Sequence, residues 1–183
     1  MPLHHLLTAV LLLGGLMLSF GCTPTGEGGG AGVKVYGTPV LVSAESGTGT
    51  LVATTTLPAG ALAVGSRVSI ASRAYGAGYY DPETFVQENT AMALSIDGHL
   101  VINDGWVGDE SSPTSAAWEG MVVSATELEW LSVRPSASST NVPDIDITGD
   151  IVVQVQISGG GDGPRGVLQP VVTVYPPAED TGA

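Results

Sequence analysis

Apolar and polar residues alternate along most of the chain after residue 32. Short runs rich in Val, Ile and Thr recur there, and Gly, Pro, Asn, Asp and Ser separate them. This pattern is typical of half-buried β-strands joined by turns. It predicts strands at 33–36 with 39–43, 50–57, 67–73, 90–96, 99–103, 118–124, 127–134, 145–148, 151–158 and 167–175. No segment here has a convincing helical period, although 83–89 is long enough for one helical turn.

The strongest local pattern is the Asp-Gly pair at 97–98, which lies between two apolar runs. It favours a type I′ turn, in which both central residues need positive φ. Such a turn pairs Ile96 with His99 and Leu94 with Val101. The core stripe that this pairing predicts comprises Met92, Leu94, Ile96 and Val101.

The stretch 50–73, TLVATTTLPAGALAVGSRVSIASR, runs from a Thr-rich strand through a Leu-Pro-Ala-Gly turn to an alternating strand. Together with the Asp-Gly hairpin and a Trp-led strand, it resembles jelly-roll domains of phage fibre and head-decoration proteins. The resemblance covers residues 50–130 and implies a double-sheet fold that is commonly trimeric. We therefore expect an all-β, antiparallel β-sandwich, jelly-roll-like, with an immunoglobulin-like topology as the alternative.

The N-terminal segment 6–20, LLTAVLLLGGLMLSF, is nearly all apolar but shorter than the about 20 residues that span a bilayer. Its length fits the hydrophobic region of a secretory signal, and Gly21 precedes the only cysteine, Cys22. This pattern resembles a bacterial lipoprotein signal, which implies removal of 1–21 and attachment to the lipid bilayer through acylated Cys22. By the same resemblance, Thr23 favours the outer membrane in a diderm host. Secretion with simple cleavage nearby is the alternative, and a buried core thiol is a third interpretation.

The composition of the remaining chain predicts three parts. Residues 22–32 form a Gly-rich flexible linker, 33–175 form the β-sandwich domain, and 176–183 form a disordered polar tail. The signal segment itself is expected to be a helix. Since the chain has one cysteine, no intrachain disulfide can form, and burial and hydrogen bonds must stabilise the domain.

The chain is strongly acidic, with 18 Asp and Glu against 5 Lys and Arg and a formal net charge of −13. Such a surface repels phosphate backbones, so we expect no nucleic-acid partner. Catalytic side chains are also scarce. His99 is the only histidine after the signal segment, no G-x-S-x-G motif occurs, and a nitrogen–sulfur zinc site lacks ligands. We therefore expect a protein that is not an enzyme.

The segment 144–150, DIDITGD, spaces its acids at positions one, three and seven of a calcium loop, with glycine at six. The twelfth position is Val155, where an EF-hand has a bidentate glutamate. The simpler interpretation is strand alternation, with the carboxylates in water and Ile145 and Ile147 inside. A second oxygen-rich loop at 103–110 would add ligands if it folds beside the first. The carboxylates of this hypothetical weak calcium site are Asp104, Asp109, Asp144, Asp146 and Asp150.

The segment 75–82, YGAGYYDP, places three tyrosines on a Gly-rich loop. Tyrosine offers a flat apolar face and a hydroxyl, which suit a sugar ring or a protein partner. The alternative is a cap over the open end of the sandwich. The candidate ligand-binding residues are Tyr75, Tyr79, Tyr80 and Trp106. The sequence thus predicts a membrane-tethered exported module that binds a protein or glycan, or assembles as a homotrimer. A carbohydrate-binding module that uses the aromatic loop is the alternative.

Overall fold

Antiparallel β-strands form nearly all of the regular structure. A computed structural model describes residues 32–43, 49–76, 90–104, 113–134, 141–159 and 164–178. Within these ranges the chain forms eleven strands and no helix, which confirms the predicted all-β class. The strands are β1 (Lys34–Tyr36), β2 (Leu41–Ser43), β3 (Gly49–Leu57), β4 (Arg67–Gly76), β5 (Thr90–Ile96), β6 (His99–Asp104), β7 (Thr114–Ser124), β8 (Glu127–Arg134), β9 (Ile151–Gly159), β10 (Pro164–Leu168) and β11 (Val171–Tyr175). The predicted signal helix and most of the linker lie outside the described residues.

The strands form two sheets in a nested order. In the larger sheet, β7 pairs with one side of β4. β10 and β11 pair with the other side of β4, end to end along its length. β1 and β2 pair with β11 and β10 and are in line too. The smaller sheet has the order β3-β9-β5-β6. The pairs are therefore nested: β1 pairs with β11, β2 with β10, β3 with β9, β4 with β7 and β5 with β6. This is the jelly-roll arrangement. β8 is an additional edge strand beside β7.

The core lies between the two sheets, because alternate residues of each strand point inward. In β9, Val153, Val155 and Ile157 are buried, whereas Val152 is exposed. Inward residues of both sheets belong to one continuous cluster. Its largest side chains include Trp118 and Ile70 from the larger sheet and Leu57, Met92, Leu94 and Ile157 from the smaller one.

The Asp-Gly hairpin forms as predicted at its turn but not throughout its register. Asp97 and Gly98 have φ values of 48° and 82°, and Ile96 pairs with His99. A β-bulge then shifts the register, so that Leu94 pairs with Ile102 and not with Val101. The predicted core stripe is confirmed, since Met92, Leu94, Ile96 and Val101 are all buried. Ile102 is buried as well.

Two strand predictions need correction. Residues 145–148 form a turn and not a strand, although Ile145 and Ile147 are buried as the alternation requires. The predicted strand 167–175 is broken at 169–170, because Pro170 has no N–H to donate to a neighbouring strand.

The sandwich has two ends, which we call the terminal pole and the loop pole. At the terminal pole, Lys34 pairs with Val174, so the beginning and end of the domain lie side by side. β4 starts at this pole and runs to the loop pole, where Gly76 pairs with Pro164. The two poles are separated by the nine residue steps of β4, or roughly 30 Å.

Candidate functional site

Tyr75 lies on the outer face of the larger sheet, at the loop pole. The inward residues of β4 end with Ala74, which is fully buried, so the next side chain points outward and is half-buried. Tyr75 pairs with Gly166 of β10. A register shift between Pro164 and Gly166 leaves Arg165 as an extra residue at this position. Such a bulge re-aims side chains at the edge of a sheet.

A cavity of about 310 Å³ is lined by Leu41, Tyr75, Arg165 and Gly166. Gly166 adds no side chain to this cavity, and a Cβ there would lie 2.9 Å from Cδ1 of Leu41, so that the leucine would have to shift. The lining thus combines an aromatic, an aliphatic and a basic residue. This combination suits a ligand with an apolar face and polar or anionic substituents.

A second hollow of about 430 Å³ lies on the same outer face, further along β4. Its lining includes the small side chains of Ala71 and Ala117, and it also includes Arg73 and Val171. Arg73 precedes Tyr75 by two residues on β4, so both side chains point to the same face. The two hollows thus give this face an apolar surface with arginines beside it.

Several predicted site residues lie outside the described residues. They are Cys22, Tyr79, Tyr80, Trp106 and Asp109. The strand ends that flank the two aromatic segments are described: β4 ends at Gly76 and β6 ends at Asp104, both at the loop pole. The roles predicted for these aromatic residues stay predictions.

The acidic segment 144–150 uses its carboxylates to hold its own turn. Oδ1 of Asp146 accepts hydrogen bonds from the Thr148 hydroxyl at 2.6 Å and from the Thr148 N–H at 2.9 Å. These two bonds hold the pKa of Asp146 below its usual value, and the Gly149 N–H contributes further. Oδ1 of Asp150 accepts a hydrogen bond of 2.7 Å from the Ala59 N–H. Hydrogen bonds within the protein therefore account for the described contacts of these two acids, in a turn and not in the strand that the simpler interpretation predicted.

The structure does not bring Asp104 to the acidic turn. β6 leaves the terminal pole at His99 and ends at Asp104 at the loop pole, whereas the N–H of Ile145 bonds to Thr126 at the terminal pole. Among the described residues, no group of three or more His, Cys, Asp or Glu side chains is placed to hold a metal ion.

Sequence reasoning missed Leu41 and Arg165 as neighbours of Tyr75. Both come from strands that are distant in sequence, and only the nested pairing of first and last strands brings them to β4. A signal for the bulge was present, since Pro164 and Gly166 flank Arg165 and such residues interrupt regular strands.

No helix in the described part of the chain is long and apolar enough to cross a membrane. Comparison with models of protein families gives no match, and comparison with curated proteins gives none either. Among solved structures, the chain is similar to dimeric latent PorU from Porphyromonas gingivalis, with a TM-score of 0.36 and 11% sequence identity. The similarity covers 78% of this chain and 12% of the PorU chain. A similarity of this extent does not define a shared activity.

Proposed function

We propose that this chain is an exported lipoprotein whose β-sandwich binds a partner or assembles, without catalysing a reaction. Acylated Cys22 attaches it to the lipid bilayer of the cell envelope, and to the outer membrane in a diderm host. The Gly-rich linker lets the domain stand away from the membrane.

The observation that carries this proposal is the position of the cavity relative to the start of the domain. The domain begins at the terminal pole, where Lys34 pairs with Val174. Tyr75 and Arg165 lie at the loop pole, at the far end of β4. A tether at the first pole leaves the cavity at the end of the domain that is farther from the attachment point, where a partner can reach it.

A carbohydrate-binding module is the second candidate. Tyr75 and Arg165 both line the cavity, and Gly166 adds no side chain to it. A sugar ring presents an apolar face that packs on an aromatic ring, and its hydroxyls accept hydrogen bonds from arginine.

Membrane attachment is tested by the Cys22→Ser variant of the full chain. We expect the unaltered chain in the membrane fraction, with a mass that includes acyl chains and lacks 1–21. The variant should lose the acyl mass, because serine cannot form the thioether. If the variant stays in the membrane fraction at unchanged mass, the lipid anchor is disproved.

The binding role is tested on a glycan array with the unaltered chain, Tyr75→Ala and the control Tyr175→Ala. Tyr175 is exposed on the same face of the same sheet, but it lies at the terminal pole. Binding that is lost only in Tyr75→Ala supports the carbohydrate module. Absence of glycan binding by the unaltered chain eliminates that candidate, and binding that survives in Tyr75→Ala eliminates the Tyr75 cavity.

A further inference from the structure

The charges of this acidic chain are unevenly distributed over its strands. All five Lys and Arg lie in the larger sheet, and four of them lie in β1, β4 and β10. The five strands β1, β2, β4, β10 and β11 contain no Asp or Glu. The acids of the larger sheet lie in β7 and β8 at its other side: Glu119, Glu127 and Glu129.

One edge of the larger sheet is apolar and basic. β1 pairs with β11 on one side, and on its other side no strand pairs with it within the described ranges. Val33, Val35 and Val40 are 55–61% exposed there, and Lys34 is the only charged residue among 32–43. We call Val33, Lys34, Val35 and Val40 the β1 edge surface.

The opposite edge is apolar and acidic. Trp130 and Leu131 of β8 are 43% and 44% exposed, and Glu129 precedes them. Val142 and Asn141 cover the first part of this edge, because Val142 exchanges backbone hydrogen bonds with Leu128. This coverage reaches Trp130, whose N–H donates to Oδ1 of Asn141, so the backbone edge is uncovered in the described structure only beyond that N–H. The side chains of Glu129, Trp130 and Leu131 nevertheless stay exposed. We call Glu129, Trp130 and Leu131 the β8 edge surface.

Both edges carry a charged side chain that has no partner within the described residues. The side chains of Lys34 and Glu129 take part in no hydrogen bond or ion pair there, in contrast to Arg67 and Glu119, whose Nη2 and Oε2 lie 2.7 Å apart. The two side chains have opposite signs and lie at opposite edges of the same sheet.

We propose that the β1 edge surface of one copy of this chain contacts the β8 edge surface of a second copy. Two copies that met through the same edge would place Lys34 near Lys34 or Glu129 near Glu129. Lys34 pairs with the buried Val174 and Glu129 with the exposed Met121, so the two side chains lie on opposite faces of the sheet. In the head-to-tail contact the second copy is therefore turned over, which brings the lysine to the glutamate and covers apolar side chains from both copies. A dimer formed in this way still has one free β1 edge surface and one free β8 edge surface, to which further copies can bind.

The contact is small, since each surface is one strand wide. Interfaces below about 1,200 Å² are typical of weak and transient complexes. Attachment to a shared surface would raise the local concentration and strengthen it. This contact rests on the assembly role in the proposed function and gives it a specific form. It depends neither on Cys22 nor on the Tyr75 cavity, so its failure would leave the lipid anchor and the binding cavity untouched.

Cysteine crosslinking tests the asymmetry of the contact. The full chain carrying Cys22→Ser, and therefore no native thiol, is prepared with either Val35→Cys or Leu131→Cys. Under mild oxidation we expect crosslinked dimers in a mixture of the two proteins and much less in either alone. Val52→Cys mixed with Leu131→Cys is the matched control, because Val52 is an exposed valine on an edge strand of the smaller sheet. Equal crosslinking in the control mixture, or crosslinking of each variant only with itself, overturns the proposal.

Charge exchange provides the second test, with the molar mass measured by light scattering over a concentration series. Lys34→Glu and Glu129→Lys should each weaken self-association, by up to about fivefold for an exposed ion pair. The double variant should recover association, because the exchanged charges meet again in a head-to-tail contact. A chain that stays monomeric over the whole series, or a double variant no stronger than either single one, contradicts the contact.

Discussion

The indole ring of Trp118 lies directly against Gly120, two residues further along β7. A Cβ built at position 120 would lie 2.7 Å from Cζ3 and 2.8 Å from Cζ2 of the indole. Both residues are buried on the inner face of the larger sheet. The largest side chain of the core therefore occupies the space that any other residue at 120 would need.

Gly120→Ala is expected to destabilise the domain by about 1–3 kcal/mol, as overpacking of a filled core does. The measurement is the midpoint of urea unfolding, and the slope of the unfolding free energy against urea concentration should stay the same. Gly49→Ala is the control, since nothing lies within 4 Å of a Cβ built there. Similar midpoints for Gly120→Ala and the unaltered chain would show that the indole can move aside at little cost.

The buried hydroxyl of Thr55 provides a second prediction. Thr55 is 3% exposed, and its Oγ1 donates a hydrogen bond of 2.5 Å to the carbonyl of Pro170, which lies between β10 and β11. Thr55→Val keeps the shape but leaves a buried carbonyl without its donor. We expect a loss of about 1–3 kcal/mol in the free energy of unfolding.

Thr56→Val is the matched control for this variant. Thr56 is the next residue of β3 and points to solvent, so its substitution should change stability by less than about 0.5 kcal/mol. If both variants are equally stable, the hydrogen bond to Pro170 makes no net contribution.

Much of this architecture was predictable, because burial on one face imposes a period of two. In the strand Ile151–Gly159, residues 151, 153, 155 and 157 are all buried, and the Asp-Gly pair at 97–98 forms the predicted turn between β5 and β6. The bulge beside Leu94 was not predictable, since Val101 and Ile102 are both apolar and either fits the core. At 145–148 the apolar alternation was present, but Asp146 formed a local turn that competes with strand pairing.

The candidate site was predictable only in part, for a physical reason. An aromatic residue beside glycines is a local signal, and it identified Tyr75. Leu41 and Arg165 reach the same cavity through long-range strand pairings, because Leu41 pairs with Leu168 and Tyr75 pairs with Gly166, the neighbour of Arg165. Such long-range contacts depend on the whole topology and leave no local pattern.

The acidic turn predicts a pH dependence whose sign follows from the lowered pKa of Asp146. The Thr148 hydroxyl and N–H bind the ionised carboxylate, so the folded state holds the proton less tightly than the unfolded chain. The stabilisation by these bonds is therefore fully present above about pH 4, the ordinary pKa of an aspartate. It is lost as the pH falls through the lower pKa that Asp146 has in the folded state.

Urea titrations of the unaltered chain and Asp146→Asn, between neutral pH and about pH 3, measure this effect. The stability difference between the two should shrink on acidification. Asp144→Asn is the control, since Asp144 accepts no hydrogen bond among the described residues and asparagine also tolerates its φ of 54°. A difference that is constant with pH would mean that the Thr148 bonds do not depend on ionisation.

Calcium is expected to leave the stability of the acidic turn unchanged. Oδ1 of Asp146 accepts two hydrogen bonds from Thr148, and Oδ1 of Asp150 accepts the Ala59 N–H, so an ion at these oxygens would compete with bonds that already shape the turn. The melting temperature should therefore be the same in chelator and in millimolar calcium, since a ligand of the folded state raises it. A rise that disappears in Asp150→Asn would place calcium at this turn. A rise that disappears instead in Asp104→Asn would place it at the loop pole, where β6 ends.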